Sequence, residues 1–103
     1  NAATSLHKLQ PSSQSAYFLY KLNAARGNFD EAVKYISEAL TYPEISVETA
    51  ADYNYEAATF CVKNGKNAKA LEFANKSMEL ADSYKGKAYF LIGTIWGLLP
   101  SDS

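Results

Sequence analysis

Apolar residues recur at every third or fourth position from Ser13 to Leu99, the spacing that lines one side of an α-helix, and five such rows can be traced. The first runs through Ala16, Leu19, Tyr20 and Asn23 to Ala24. It stops at Gly27, where a left-handed helix ending needs a residue without a side chain. The second row, Phe29, Ala32, Val33, Ile36, Ala39 and Leu40, is the most sharply amphipathic; Asn28 or Asp30 can cap it, and Pro43 lies beyond its end. Ser46 can cap a third helix through Lys63, with Ala50, Tyr53, Ala57, Phe60 and Cys61 on one side and Asn64-Gly65 closing it. A fourth, Asn67 to Ala81, carries Ala70, Leu71, Phe73, Ala74, Met78 and Leu80. The fifth, Lys85 to Leu99, is almost continuously apolar over AYFLIGTIWGLL. No stretch sustains the period-two alternation of a strand, so the pattern predicts an all-α protein.

The second and fourth rows open on the same phrase. Gly27 to Ala32 and Gly65 to Ala70 have equal separation, and the two glycines lie 38 residues apart, close to the roughly 34-residue period of a helix-turn-helix repeat. The extra residues fall in TYPEIS, a connection that can lengthen without disturbing helix packing. A third copy starts at Tyr89: Tyr89, Ile92, Gly93 and Trp96 follow the spacing aromatic, two residues, aliphatic-Gly, two residues, aromatic. One antiparallel helix pair cannot bury its apolar face alone, and a stacked copy covers it, which is a physical reason for the repetition.

These residues resemble the tetratricopeptide repeat (TPR) family over about residues 13 to 97. Tyr89 to Trp96 is similar to its first-helix signature, W-x2-L-G-x2-Y, and Gly-x-Phe-Asp-Glu-Ala at 27 to 32, followed by Tyr35, Ile36 and Ala39, is similar to its turn and second helix. The chain departs from the family at Tyr20, where a small residue is usual, and at Asn54, Ala57 and Ala58, where an aromatic, a Leu and a Gly are expected. The resemblance implies a right-handed α-α superhelix of five helices, about two and a half helix pairs. Residues 13–45 would form the first repeat, 46–84 the second and 85–99 the first helix of a third. Residues 1–12 would be an N-terminal extension or the tail of a preceding unit, since Leu6, Leu9 and Pro11 resemble the end of a second helix.

The function implied by the resemblance is non-enzymatic: successive first helices line a concave groove that holds a peptide or partner protein. Matched inward positions are Tyr17 and Lys21 in the first repeat, Tyr55 and Thr59 in the second, and Phe90 and Thr94 in the third. One subgroup grips a C-terminal carboxylate with paired Lys and Asn; Asp52 and Glu56 stand where that clamp needs a cation and an amide, so that ligand is disfavoured. The alternative is a purely structural helical segment that packs against the rest of a longer, multidomain chain.

Composition narrows the partners. A chain of 103 residues fits one domain. Its single Cys61 and single His7 provide neither an internal disulfide, a zinc set nor a Ser-His-Asp arrangement, so no cofactor or metal and no enzymatic site is expected. Ten basic residues against eleven acidic ones give no bulk attraction for nucleic acid or anionic lipid. The sequence begins at Asn1 without a Met, a signal segment or an apolar span of membrane length, and the expectation is a processed or excised piece that is soluble, cytoplasmic or periplasmic, with no membrane insertion. Cys61, with only Lys63 as a nearby basic residue in sequence, reads as a buried inert thiol. Asn75-Lys76-Ser77 matches a glycosylation acceptor but lies inside a helix. Glu31, Lys34 and Glu38, like Lys69, Glu72 and Lys76, read as solvated pairs on outer faces. Eight Tyr and five Phe mainly fill gaps between Ala-rich helices, leaving a minority for a binding surface.

The fifth helix stands apart. Tyr89, Phe90, Ile92, Ile95, Trp96 and Leu99 surround most of its circumference, so one side packs on the fourth helix and another is left open before Pro100-Ser101-Asp102-Ser103. The expectation is a chain cut from a longer array, its open face covered by another part of the chain or by a homodimer through Tyr89, Ile95, Trp96 and Leu99.

Overall fold

In the computed structural model, residue 9 and residues 11–98 are described, with side chains as far as Gly97. The described chain is all-helical, with no strand among the described residues. Helices α1 (Ser13–Ala25), α2 (Phe29–Ala39), α3 (Val47–Lys63), α4 (Asn67–Leu80) and α5 (Lys85–Leu98) follow in order, with a 3-10 turn at Asp82–Tyr84 before α5. The helices belong to two compact units, one ending at Ile45 and the other beginning at Ser46.

In the first unit α1 and α2 form an antiparallel-type hairpin whose ends are written in the sequence. Ser12, in extended conformation, starts α1: its hydroxyl accepts the Ser15 amide at 3.1 Å, and Ser15 Oγ accepts the Ser12 amide at 3.0 Å. Gly27, at φ 77°, stops the helix. Its amide donates to the Ala24 carbonyl at 3.1 Å and the Asn28 amide to that of Asn23 at 2.9 Å, which satisfies two carbonyls that the helix end would leave open. Asn28 does not cap α2 through its side chain as expected; Nδ2 instead donates to Asn23 Oδ1 at 3.3 Å. The turn is so short that Asn28 is already engaged in closing α1. Between the helices Ala16, Leu19 and Tyr20 meet Ala32, Ile36 and Ala39, all buried, and the alanines allow the axes to approach closely.

The second unit repeats these devices. Ser46 accepts the Thr49 amide at 3.1 Å to start α3. Gly65, at φ 73°, ends it, with the Gly65 amide on Val62 O at 3.1 Å and the Lys66 amide on Cys61 O at 2.8 Å. The repeated Gly is therefore the left-handed stop between two packed helices. The α3 row is rotated from its expected position: Ala51, Tyr53, Asn54, Ala57, Ala58 and Cys61 are buried, whereas Ala50 and Phe60 are half-buried. On α4 the buried set is Ala70, Ala74 and Ser77; Phe73, expected in the core, is half-buried. Small residues occupy the tight helix contact, and the Phe73 ring is displaced to its margin.

A buried hydrogen bond ties each hairpin, and the two are reciprocal. In the first unit Ser13 Oγ on α1 donates to Ala39 O on α2 at 2.9 Å. In the second, Ser77 Oγ on α4 donates to Ala51 O on α3 at 2.9 Å. Ser13 and Ala51 are 38 residues apart, as are Ala39 and Ser77, the same interval as Gly27 and Gly65. Equivalent positions have exchanged donor and acceptor while keeping the bond. Ser77→Ala should destabilise by about 0.5–1.5 kcal/mol, and Ala51→Ser added to it should recover most of that loss by recreating the arrangement of the first unit. Urea unfolding of the single and double variants measures both.

Helix α5 packs mainly on α4 and buries Ala88, Leu91 and Ile95. Tyr89 and Trp96, aligned with the signature aromatics, are 63% and 62% exposed, Gly93 is exposed, and Ile92 is half-buried. In a nearly continuous apolar run two adjacent helical faces satisfy the same three-and-four spacing. The face carrying the small Ala88 packs inward, and the one carrying the bulky rings stays out. Ala88, Leu91 and Ile95 follow the buried Asn54, Ala57 and Cys61 of α3 by 34 positions, and equally follow the buried Ala51, Asn54 and Ala58 by 37.

Candidate functional site

The candidate positions of the first unit lie on α1. Tyr17 is half-buried, with its ring centroid 5.7 Å from that of Tyr20. Lys21 is exposed one turn later, its Nζ 5.4 Å from the Tyr17 centroid. The (i, i+4) spacing sets the ammonium over the ring face, where the aromatic quadrupole attracts it. Together they present an aromatic surface with a cation at its edge.

The positions of the second unit lie on α3 and are partly covered by the chain itself. Tyr55 is half-buried, and its centroid lies 6.0 Å from that of Tyr84, the rings tilted by 52°. Tyr84 comes from the 3-10 turn and donates its hydroxyl to Asp52 Oδ1 at 2.9 Å. Lys87 Nζ lies 5.3 Å from the Tyr84 centroid, and Lys85 pairs with Asp82 at 3.2 Å. Burial raises the Tyr84 pKa above its ordinary value, and the hydrogen bond to Asp52 and the nearby charges of Asp52 and Glu48 raise it further. Thr59 Oγ1 donates back to the Glu56 carbonyl at 2.8 Å. Sequence reasoning missed Tyr84. Its only signal is an aromatic placed between the fourth and fifth rows, and its partner Asp52 is far away in sequence.

Phe90 and Thr94 on α5 are exposed, and Thr94 Oγ1 donates to Phe90 O at 3.0 Å. Phe90 and Thr94 follow Tyr55 and Thr59 by 35 positions. Of the residues expected on the open face of the last helix, Tyr89 and Trp96 are exposed, but Ile95 is fully buried and faces the core. Leu99 lies outside the described residues, as do Leu6 and His7.

Other chemistry is sparse. Among the described residues no group of three or more His, Cys, Asp or Glu is placed to hold a metal ion, and no helix is long and apolar enough to cross a membrane. An open depression at the start of α2 is lined by Asn28, Phe29, Asp30 and Glu31, and its two carboxylates oppose any anion that the helix end would attract. Cys61 is buried, and burial raises its thiol pKa to about 11; Lys69 lowers it and Glu72 raises it, so the neighbouring charges come from α4 and not from Lys63. Asn75 is exposed, but Ser77 of the same acceptor triplet is buried and hydrogen-bonded, which removes its hydroxyl from reach. Lys34 lies over the Tyr35 ring at 5.6 Å, and Glu38 Oε2 accepts from the Tyr42 hydroxyl at 2.9 Å. These contacts engage the outer face of α2 through aromatic side chains. Compared with known proteins, the chain matches no family model and no curated protein.

Proposed function

We propose that the chain is a non-enzymatic helical-repeat module of the tetratricopeptide kind, which binds a peptide or partner protein through side chains of its first helices. The observation that carries this reading is the recurrence after 38 residues of one helix hairpin, Ser-capped at its start and turned at a left-handed Gly, Gly27 and then Gly65. That interval is close to the roughly 34-residue period of the family. The reciprocal Ser–Ala bonds support the same reading in the hairpins. A repeat of this kind carries function on exposed side chains because its small core residues serve packing. Each unit supplies its own contacts: Tyr17 with Lys21 in the first, and Tyr55 with Thr59 in the second. Tyrosine suits the role because it combines apolar area, few rotatable bonds and one hydrogen-bonding tip.

Selection of displayed random peptides on the purified chain tests the proposal. Enriched peptides should bind at least about tenfold more weakly to Tyr17→Ala and Tyr55→Ala, the loss expected for an aromatic anchor. Binding to Lys76→Ala, altered at an exposed position of α4, should be unchanged. Failure to enrich any peptide, or indifference to both tyrosines, would overturn the reading in favour of a structural segment.

A further inference from the structure

We propose that the outer side of α5 pairs with the α5 of a second copy, antiparallel and about a two-fold axis. The proposal is independent of Tyr17 and Tyr55. Gly86, Gly93 and Gly97 fall within about 40° of one another on the helix surface, and a Cβ built at any of them meets nothing within 4 Å. Tyr89 and Trp96 border this shallow channel on one side and Phe90 on the other, 63%, 62% and 78% exposed. Under a two-fold axis crossing α5 between Leu91 and Ile92, Phe90 of each copy lies opposite Gly93 of the other, and Gly86 lies opposite Gly97. The large ring then meets the open backbone twice in one isologous contact.

Charge favours the same occupant and orientation. The first turn of α5 carries Lys85 and Lys87 with no acidic residue, so cations sit at the positive end of their own helix, Lys85 beside Asp82 of the preceding turn and Lys87 over the Tyr84 ring. Antiparallel pairing brings the negative end of the second α5 to these lysines. No carboxylate occurs from Lys85 to Leu98, so the apolar strip meets no buried negative charge. The area sets the strength. Three aromatics of roughly 150–250 Å² each, about two-thirds exposed, provide roughly 300–500 Å² per copy, against about 800 Å² for a standard stable interface. The dimer is accordingly weak, with a dissociation constant on the order of ten micromolar or above.

Sedimentation velocity over a concentration series, from a few micromolar to about five hundred, tests the pairing in the 103-residue chain. The wild type should pass from monomer to dimer. Phe90→Ala removes the ring, and Gly93→Phe sets ring against ring; each should weaken association at least about tenfold. The double variant Phe90→Ala/Gly93→Phe restores a ring opposite a small residue and should recover most of the affinity. Both positions are exposed, and Gly93 has open space around it, so the variants should fold, which circular dichroism checks. A chain that stays monomeric, open-ended oligomers, indifference to Gly93→Phe, or no recovery in the double variant would each overturn the proposal. So would a monomer that binds phosphatidylserine vesicles through Trp96, which would assign this face to lipid.

Discussion

Replacing Ile36 by Ala should destabilise the protein by about 2–5 kcal/mol, the usual range for deleting a fully buried aliphatic side chain. Ile36 is fully buried on α2 and, with Leu19, is among the largest side chains wholly inside the structure. The other buried α2 residues facing α1 are Ala32 and Ala39, which have no bulk with which to close a cavity. A two-helix contact built on alanines depends on its few large residues, whereas a larger core would share the loss. Because a domain is stable by only about 5–15 kcal/mol, this change removes a large part of the margin. Urea unfolding followed by circular dichroism measures it, and a loss below about 1 kcal/mol would mean that the hairpin relaxes around the missing methyl groups.

The extent to which the fold was legible depended on how sharply each stretch separates its faces. In α2, charged residues alternate with the Ala32, Ile36 and Ala39 row, so only one rotation of the helix buries that row without burying charge. Gly27 and Gly65 were legible for a local reason, since a left-handed helix stop strongly selects Gly and its geometry does not depend on tertiary contacts. In α5 no polar residue marks the outside between Ala88 and Ile92, so spacing alone allowed more than one rotation; Tyr89 and Trp96 are exposed, whereas Ile95, expected beside them, is buried. The rotation is set by packing on α4, against which α5 buries Ala88, Leu91 and Ile95. Tyr84 and Asp52 were illegible because their hydrogen bond spans 32 residues, and neither residue type favours that partner over water.

The chain should lose about 2–3 kcal/mol of stability between about pH 9 and 11.5 through Cys61 alone. Burial in the α3 row raises this thiol from an ordinary value of 9.0 to about 11; Lys69 opposes the shift and Glu72 adds to it. The folded state therefore holds the proton more tightly than the unfolded chain. Below about pH 9 both states are protonated and the native stability is intact. As pH rises from there through about 11 the unfolded chain ionises first and folding weakens. Tyr84 and Tyr42, whose pKa values are also raised, chiefly by burial and then by Asp52 and Glu38 respectively, act in the same direction. Cys61→Ala isolates the thiol contribution: the variant starts less stable, because a buried sulfur is gone, but should lose about 2–3 kcal/mol less than wild type over this range. Denaturant unfolding at pH 8.5 and 11.5 compares the two slopes. The same shift cuts the native thiolate roughly a hundredfold near pH 8, so alkylation by iodoacetamide should be slower by at least that factor than in the urea-unfolded chain. Parallel pH profiles for wild type and variant, or native alkylation as fast as unfolded, would show that Cys61 meets solvent and that the α3–α4 contact is looser than its alanines imply.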